Sequence, residues 1–373
     1  MSKRQTKHQV IIGEAQNMRA VKDASIGLVV TSPPYPMIEM WDDIMAKQNS
    51  DIKNALNSNN GSLAFELMHQ EFDKVWKEVN RVLIPGGFAC INIGDATRTI
   101  NENFTLYPNH SRIISSFLSL GLVNLPNIIW RKQTNAPNKF MGSGMLPAGA
   151  YVTLEHEWIL VFRKGGKRLI KTEAEKLARK ESAFFWEERN NWFSDLWDLK
   201  GTKQKIDNSA TRQRSAAYPF EIPYRLINMY SMKGDTVLDP FLGTGTTMLA
   251  AIASERNSVG IEIDNSFTQL IDETINNTPV DSLNKVIQTR IANHTYFITE
   301  RSADPDKEEI KHFNHYFKLP VMTSQETEMK ISYVEDISND LNNEFIATYN
   351  NGPEYEKQFF AVKKKKDQLL LGI

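Results

Sequence analysis

The run Thr236-Val237-Leu238-Asp239-Pro240-Phe241-Leu242-Gly243-Thr244-Gly245-Thr246-Thr247 constrains this chain more than any other segment. Its apolar start reads as a buried strand, its glycines as a tight turn, and Met248 to Ala253 as a helix. Glycine lets the backbone approach a ligand closely, and the first N–H groups of a helix face an anionic group such as a carboxylate. The next strand, Gly260-Ile261-Glu262-Ile263-Asp264, carries an acid about 20 residues after the loop, where a carboxylate accepts hydrogen bonds from ribose hydroxyls. The third glycine of a dinucleotide fingerprint is absent, as is Gly-Lys-Ser/Thr, so a pyrophosphate site and a P-loop both fit poorly. A nucleoside bearing an amino-acid carboxylate fits better, and S-adenosylmethionine is such a molecule. Taken alone, however, Gly-Thr-Gly is equally compatible with a plain strand-to-helix turn.

Short apolar runs recur at Val10–Ile12, Ile26–Val30, Phe88–Ile93, Ile128–Trp130, Trp158–Phe162, Thr236–Leu238 and Val259–Ile263. Between them lie helical patterns, the clearest from Phe65 to Leu83, where apolar residues return every three or four positions until Pro85-Gly86-Gly87. This alternation predicts an α/β fold with a doubly wound, mostly parallel sheet and ligands at the carboxyl ends of the strands. The 373 residues, 41% hydrophobic and 24% charged, suit a globular protein and exclude disordered and collagen-like classes. No window approaches the roughly 18 apolar residues of a membrane span, and no secretory h-region follows Met1, so a cytoplasmic protein without membrane contact is expected. Cys90 is the single cysteine. It excludes internal disulfides and cysteine-rich zinc clusters, and its apolar surroundings predict a small buried hydrophobe.

Three stretches break the alternation. Met37 to Ser62 is polar and asparagine-rich and reads as a mobile arm with a little helix. Residues 164 to 215 mix lysines and arginines with Phe184, Phe185, Trp186, Trp192, Phe193 and Trp197, without a period. The net charge of −1 says nothing about nucleic acid, but this local concentration of basic residues is a candidate phosphate-contacting region or a solvated face. Beyond residue 281 the chain turns acidic and ends in Lys363-Lys364-Lys365-Lys366, suggesting an added subdomain.

The strand Ile26–Val30 leads into Thr31-Ser32-Pro33-Pro34-Tyr35. Two prolines fix the backbone there. Such rigidity suits an exocyclic amine attacking a sulfonium methyl group, because the amine lone pair is delocalised and fixed acceptors must hold its hydrogens. The Ser32 side chain and the Pro33 carbonyl can act as those acceptors, with Tyr35 stacking on the base. A rigid loop with an exposed tyrosine is the plainer alternative. Glu155-His156-Glu157 has the look of a metal site, but alternate strand residues face opposite ways and this chemistry needs no metal.

Together, Thr31 to Tyr35 and Asp239 to Thr246 resemble the beta class of amino-methylating DNA methyltransferases, in which the catalytic turn precedes the cofactor loop. The resemblance covers approximately residues 8 to 275. It extends to Arg81-Val82-Leu83-Ile84-Pro85-Gly86-Gly87, to Ile129-Trp130-Arg131-Lys132 with Asn135 and Pro137, to Glu155–Phe162 and to Tyr218–Ile227. It implies a Rossmann-like methyltransferase fold that uses S-adenosylmethionine. Ser32, Pro33, Pro34 and Tyr35 would be catalytic. Glu14, Thr31, Asp239, Pro240, Phe241, Gly243, Thr244, Gly245, Thr246 and Glu262 would bind the cofactor, Glu14 standing where the family commonly has aspartate. Trp130, Lys132, Asn135, Lys167, Arg168, Arg212 and Arg214 would meet the target base or DNA.

The implied organisation is a catalytic half at 1–163, a target-recognition region at 164–215, a cofactor half at 216–280 and an extension at 281–373. Most adenine-N6 members open the turn with aspartate and most cytosine-N4 members with serine, so Ser32 points to N4 of a cytosine flipped from duplex DNA. Adenine N6 is the runner-up. Carbon-5 methylation is excluded because Cys90 lies outside any Pro-Cys loop. The resemblance further implies double-stranded DNA as partner, a bacterial or archaeal nucleoid setting, a cognate restriction endonuclease, and a monomer or homodimer. An RNA or protein methyltransferase, an NAD-linked oxidoreductase and a non-catalytic DNA-binding module are the competing readings.

Overall fold

The computed structural model describes residues 4–132, 141–200, 218–340 and 344–353. Its main sheet contains, in chain order, β1 (Arg4–Ile12), β2 (Ile26–Thr31), β3 (Leu83–Ile93), β4 (Leu122–Asn124), β5 (Ile128–Arg131), β6 (His156–Lys164), β7 (Leu196–Asp198), β8 (Thr236–Asp239), β9 (Asn257–Glu262), β10 (Tyr333–Asp340) and β11 (Glu344–Asn350). The helices are α1 (Asp42–Gln48), α2 (Ser50–Asn57), α3 (Gly61–Val82), α4 (Asn109–Ser119), α5 (Glu173–Glu181), α6 (Trp186–Trp192), α7 (Glu221–Tyr230), α8 (Thr246–Ala253), α9 (Phe267–Asn277) and α10 (Val280–Ser302). None of the helices among the described residues is long and apolar enough to cross a membrane.

Strands lie in the order β7-β5-β6-β3-β2-β8-β9-β1-β11-β10, with β4 paired to β6. The five central strands β3, β2, β8, β9 and β1 are parallel. Antiparallel pairings begin outside them, at β6 on one flank and at β11 and β10 on the other. All six residues of β2 are buried, as expected of a strand covered on both faces. Its alternation assigns Leu28 and Val30 to a core with α7 and α8 and Val29 to a second core with α3, which Ile26 joins across the register shift between Ile26 and Leu28. From β2 the chain crosses through α3 to β3, whereas from β8 it crosses through α8 to β9 on the opposite side. The strand order therefore reverses between β2 and β8, and such a reversal opens a crevice at the carboxyl ends.

The arm expected at Met37–Ser62 folds instead into α1 and α2, with Met45, Ile52 and Ala55 buried. Its asparagines serve as caps: Asn49 accepts from the Asp51 N–H at 3.0 Å and Asn60 from the Leu63 N–H at 3.1 Å. Such caps satisfy N–H groups that have no intrahelical partner. Helix α3 follows the predicted period, but it stops at Val82, and Pro85-Gly86-Gly87 belongs to β3 rather than to a turn.

The aromatic stretch after residue 164 is largely core. Phe185 and Trp197 are almost inaccessible, and Phe185 stacks on His294 of α10 at 3.8 Å. The buried Arg290 of α10 donates to both carboxylate oxygens of Glu188, at 2.6 and 2.8 Å. Residues beyond 281 are therefore not a separate body among the described residues. Helix α10 shares a core with Phe185 at the start of α6, and β10 and β11 continue the main sheet beside β1.

Candidate active site

The turn after β2 and the glycine loop after β8 meet at the crevice because β2 and β8 are neighbours, paired at Val29 and Leu238. They are bolted together by Asp239. Thr31 Oγ1 donates to its Oδ1 at 2.5 Å, Thr247 Oγ1 donates to its Oδ2 at 2.5 Å, and the Phe241 N–H donates to Oδ1 at 3.0 Å. Tyr218 extends the chain, its hydroxyl 2.5 Å from Thr247 Oγ1. Burial pushes the Asp239 carboxyl up to about 6, against the opposing pull of these hydrogen bonds.

An open cleft of about 1170 Å³, counting the solvent at its mouth, lies along this junction. Ser32, Pro33 and Pro34 form one wall. Pro240, Phe241, Gly243, Thr244 and Thr246 form the other, with Glu262 at its far end. Gly243 and Gly245 hold φ of +55° and +89°, values that residues with a side chain rarely adopt, and Gly245 leads directly into α8. Glu262 accepts from the Gly243 and Asp264 N–H groups, each at 2.9 Å. Burial raises its carboxyl above the usual range. Trp41, Ile44 and Met45 cover the cleft from the arm, a role that no periodic signal in the sequence announces.

Next to Ser32 lies a second polar group. Tyr35 donates its hydroxyl to Glu157 Oε2 at 2.7 Å, and Ser32 Oγ is 3.2 Å from the Tyr35 oxygen. Asn92 of β3 reaches Glu157 Oε2 at 2.7 Å, Tyr35 at 2.9 Å and Ser32 at 3.3 Å. Lys132 forms an ion pair with the other oxygen, Glu157 Oε1. Burial first, and then the neighbouring carboxylate, hold the Tyr35 phenol well above its ordinary value. Asn92 does not stand out in the sequence, and Glu157 does so only within Glu155-His156-Glu157, where the pattern suggests a metal site rather than a partner for the turn. A signal existed for Glu157: it occupies an inward position of β6, where a glutamate needs a partner.

Several expected residues stand elsewhere. Thr31 and Asp239 are buried behind the cleft wall, so Asp239 spends its carboxylate on the two threonines rather than on a ligand. Glu14 is exposed, while its neighbours Gly13 and Ala15 line the cleft. Trp130 is 1% exposed and donates its indole N–H to the Leu199 carbonyl at 2.9 Å. It is a core residue and presents no face to a base. Lys132 is engaged with Glu157, and Arg168 with Asp235 at 2.7 and 2.8 Å. Both cations are expected at DNA, yet each already has a carboxylate. Lys167 is exposed; Asn135, Arg212 and Arg214 lie outside the described residues. Cys90 is buried in β3 with its thiol pushed up by desolvation, which suits a packing role.

A family model described as DNA methylase matches residues 26–273. The Type II methyltransferase M.MthZI of Methanothermobacter thermautotrophicus is 50% identical over 356 residues, spanning 95% of this chain and 98% of that protein. M.MjaI of Methanocaldococcus jannaschii, also a Type II methyltransferase, is 51% identical over 281 residues, 72% of this chain and 91% of its own. Among solved structures, the putative DNA modification methylase TTHA0409 of Thermus thermophilus, complexed with S-adenosyl-L-methionine, superposes with a TM-score of 0.54 at 32% identity. The match covers 71% of this chain and 93% of that one. The cytosine-N4-specific PvuII DNA methyltransferase shares the fold, with a TM-score of 0.51 at 17% identity over 75% of this chain and 91% of its own.

Proposed function

Because the chain belongs to the N6/N4 DNA methylase family, we propose that it methylates N4 of a cytosine flipped out of duplex DNA. It is an S-adenosylmethionine-dependent DNA methyltransferase of the amino-methylating kind. The cleft suits that cofactor. Glu262 uses two of the roughly four acceptor positions of a carboxylate on amide N–H groups, leaving others for ribose hydroxyls. Gly243 keeps the loop free of a side chain where an amino-acid portion would lie, and Phe241 lines the cleft beside it. When bound, the cofactor supplies an electrophilic methyl group, whose carbon–sulfur bond breaks with the electron pair staying on sulfur as the new carbon–nitrogen bond forms.

The single observation that carries the choice of base is Ser32, a hydroxyl rather than a carboxylate at the head of the turn, lining the cleft beside Pro33 and Pro34. Its oxygen accepts one amino hydrogen and the Pro33 carbonyl a second, which directs the nitrogen lone pair towards the methyl group. Asp239 holds Thr31, the residue before Ser32, against Thr247 of the cofactor helix. In this reading that strut fixes the distance between nucleophile and methyl donor, the positioning on which such reactions depend. Residues 164–215 read the DNA sequence, and a restriction endonuclease with the same site accompanies the enzyme, in keeping with the Type II relatives.

Incubation with unmethylated DNA and labelled S-adenosylmethionine, followed by digestion to nucleosides and mass analysis, should give N4-methyldeoxycytidine. N6-methyldeoxyadenosine would overturn the base assignment and leave the family assignment intact.

A further inference from the structure

We propose that Glu157 takes up the proton released at the target amine, receiving it through Tyr35 and Ser32, with Lys132 holding the carboxylate in place. The proposal rests on amino-group methylation, a property of the family, and not on which base carries the amine.

The amine nitrogen that gains a methyl group carries one hydrogen too many and must lose it. Among the described residues, Glu262 and Asp264 line the cleft, and Asp239 and Glu157 are bonded to the turn that forms its wall. Asp239 has both oxygens occupied by threonine hydroxyls behind the wall. Glu262, bound by backbone N–H groups, and Asp264 stand at the far end. Glu157 alone of the four connects to Ser32 through hydroxyl groups. The groups that face it are Tyr35 from the turn after β2, Asn92 from β3 and Lys132 from the end of β5.

The donor directions agree along this path. Tyr35 donates to Glu157 at 2.7 Å, so its oxygen is an acceptor towards Ser32, 3.2 Å away. The Asn92 amide has only two hydrogens, and its short contacts direct them to Glu157 and Tyr35. Ser32 is thereby left to donate to Tyr35 and to accept from a substrate amine. In the transfer, the amine gives a proton to Ser32 Oγ, the Ser32 hydroxyl hydrogen passes to the Tyr35 oxygen, and the Tyr35 hydrogen passes to Glu157. Each hydroxyl gains one proton and loses one, and Glu157 ends as a carboxylic acid. Lys132, 42% exposed, carries the far side of the pair to solvent, where that proton is returned.

Burying the Glu157 carboxylate costs free energy that a partly exposed lysine offsets only in part. Glu157 is a positioning and proton-accepting residue that acts through Tyr35, and its test needs readouts that packing does not move. Single-turnover methylation of unmethylated plasmid DNA is measured for the full-length wild type, Glu157→Gln, Tyr35→Phe and the double variant, with cofactor and DNA affinities measured separately. General-base assistance of this kind contributes on the order of 100-fold or more. Glu157→Gln is expected to lose that factor, with both affinities within about threefold of wild type. Tyr35→Phe is expected to lose a comparable factor with both affinities likewise kept, and the double variant to be within about threefold of the slower single, as for residues acting in one unit. A Glu157→Gln rate near wild type, a rate loss matched by an equal loss of affinity, or losses that multiply in the double variant overturns the proposal. If thermal melting shows Glu157→Gln unfolded, Tyr35→Phe decides the question by itself, a rate near wild type overturning the proposal. Failure of the amino-methylation reading is separate, appearing as the absence of any N-methylated nucleoside from the wild type.

Discussion

At the end of the cleft proposed for the cofactor, Glu262 is held by N–H groups of Gly243 and Asp264, the second only two residues away. At the end proposed for the base, Glu157 is held by Tyr35, Asn92 and Lys132, which belong to three different strands or the turns that follow them. The first arrangement is a local property of a strand, a glycine turn and a helix. The second exists only once β2, β3, β5 and β6 have assembled. A backbone-built site tolerates change in distant side chains, whereas a site of converging side chains depends on each element's register. Binding functions should therefore concentrate at one end and chemical functions at the other.

Ser32→Ala gives the largest contrast. Turnover should fall by about 100-fold or more, while cofactor affinity stays within about threefold; parallel losses in single-turnover rate and cofactor binding would erase the distinction between the two ends. The junction between them is tested by pH. Asp239 titrates at about 6 in the folded protein against 3.8 for an ordinary aspartate. Below the unfolded value both states are protonated and the stability is fully present; it is lost as pH rises from there through the folded value. Relative to Asp239→Asn, the wild type should lose about 2 kcal/mol of unfolding free energy between about pH 4 and 7.5. A pH-independent difference in urea titrations would show that the strut is not a buried carboxylate.

Glu262→Ala sharpens the comparison from the other end. Losing hydrogen bonds to a charged acceptor should weaken equilibrium cofactor binding by about 10- to 100-fold while saturating turnover changes less than about fivefold. A turnover defect with unchanged binding would reverse the two roles. The smallest effect is expected from Asn49→Ala. Removal of this cap costs about 1 kcal/mol and loosens α1 and α2 over the cleft, raising the cofactor dissociation constant about fivefold at most. No change in binding calorimetry would detach the arm from the cofactor end.

Legibility followed the same division. The strand–loop–helix at Thr236–Ala253 and the turn at Thr31–Tyr35 were readable because glycine and proline act on their own backbone. The asparagines of Met37–Ser62 misled because composition alone does not separate a solvated linker from a series of helix caps. Trp130 and Lys132 carried a base-facing role in the sequence, yet one packs under the sheet and the other pairs with Glu157. The basic and aromatic stretch after residue 164 likewise divides between core aromatics such as Phe185 and Trp197 and paired cations such as Arg168. Charge and hydrophobicity state what a side chain can do, and partners decide what it does.

By itself, the sequence determined the alternating α/β architecture, the strand–glycine loop–helix at Thr236–Ala253 and the Ser-Pro-Pro-Tyr turn, since each depends on residues close together in the chain. Tertiary structure decided that Asp239 is a strut, that the arm roofs the cleft and that Glu157 joins the Ser-Pro-Pro-Tyr turn. Those three outcomes depend on contacts between residues as far apart as Thr31 and Asp239. The physical reason is that a backbone conformation is set by local sterics, whereas the satisfaction of a buried polar group is set by whatever the fold places within about 3 Å of it.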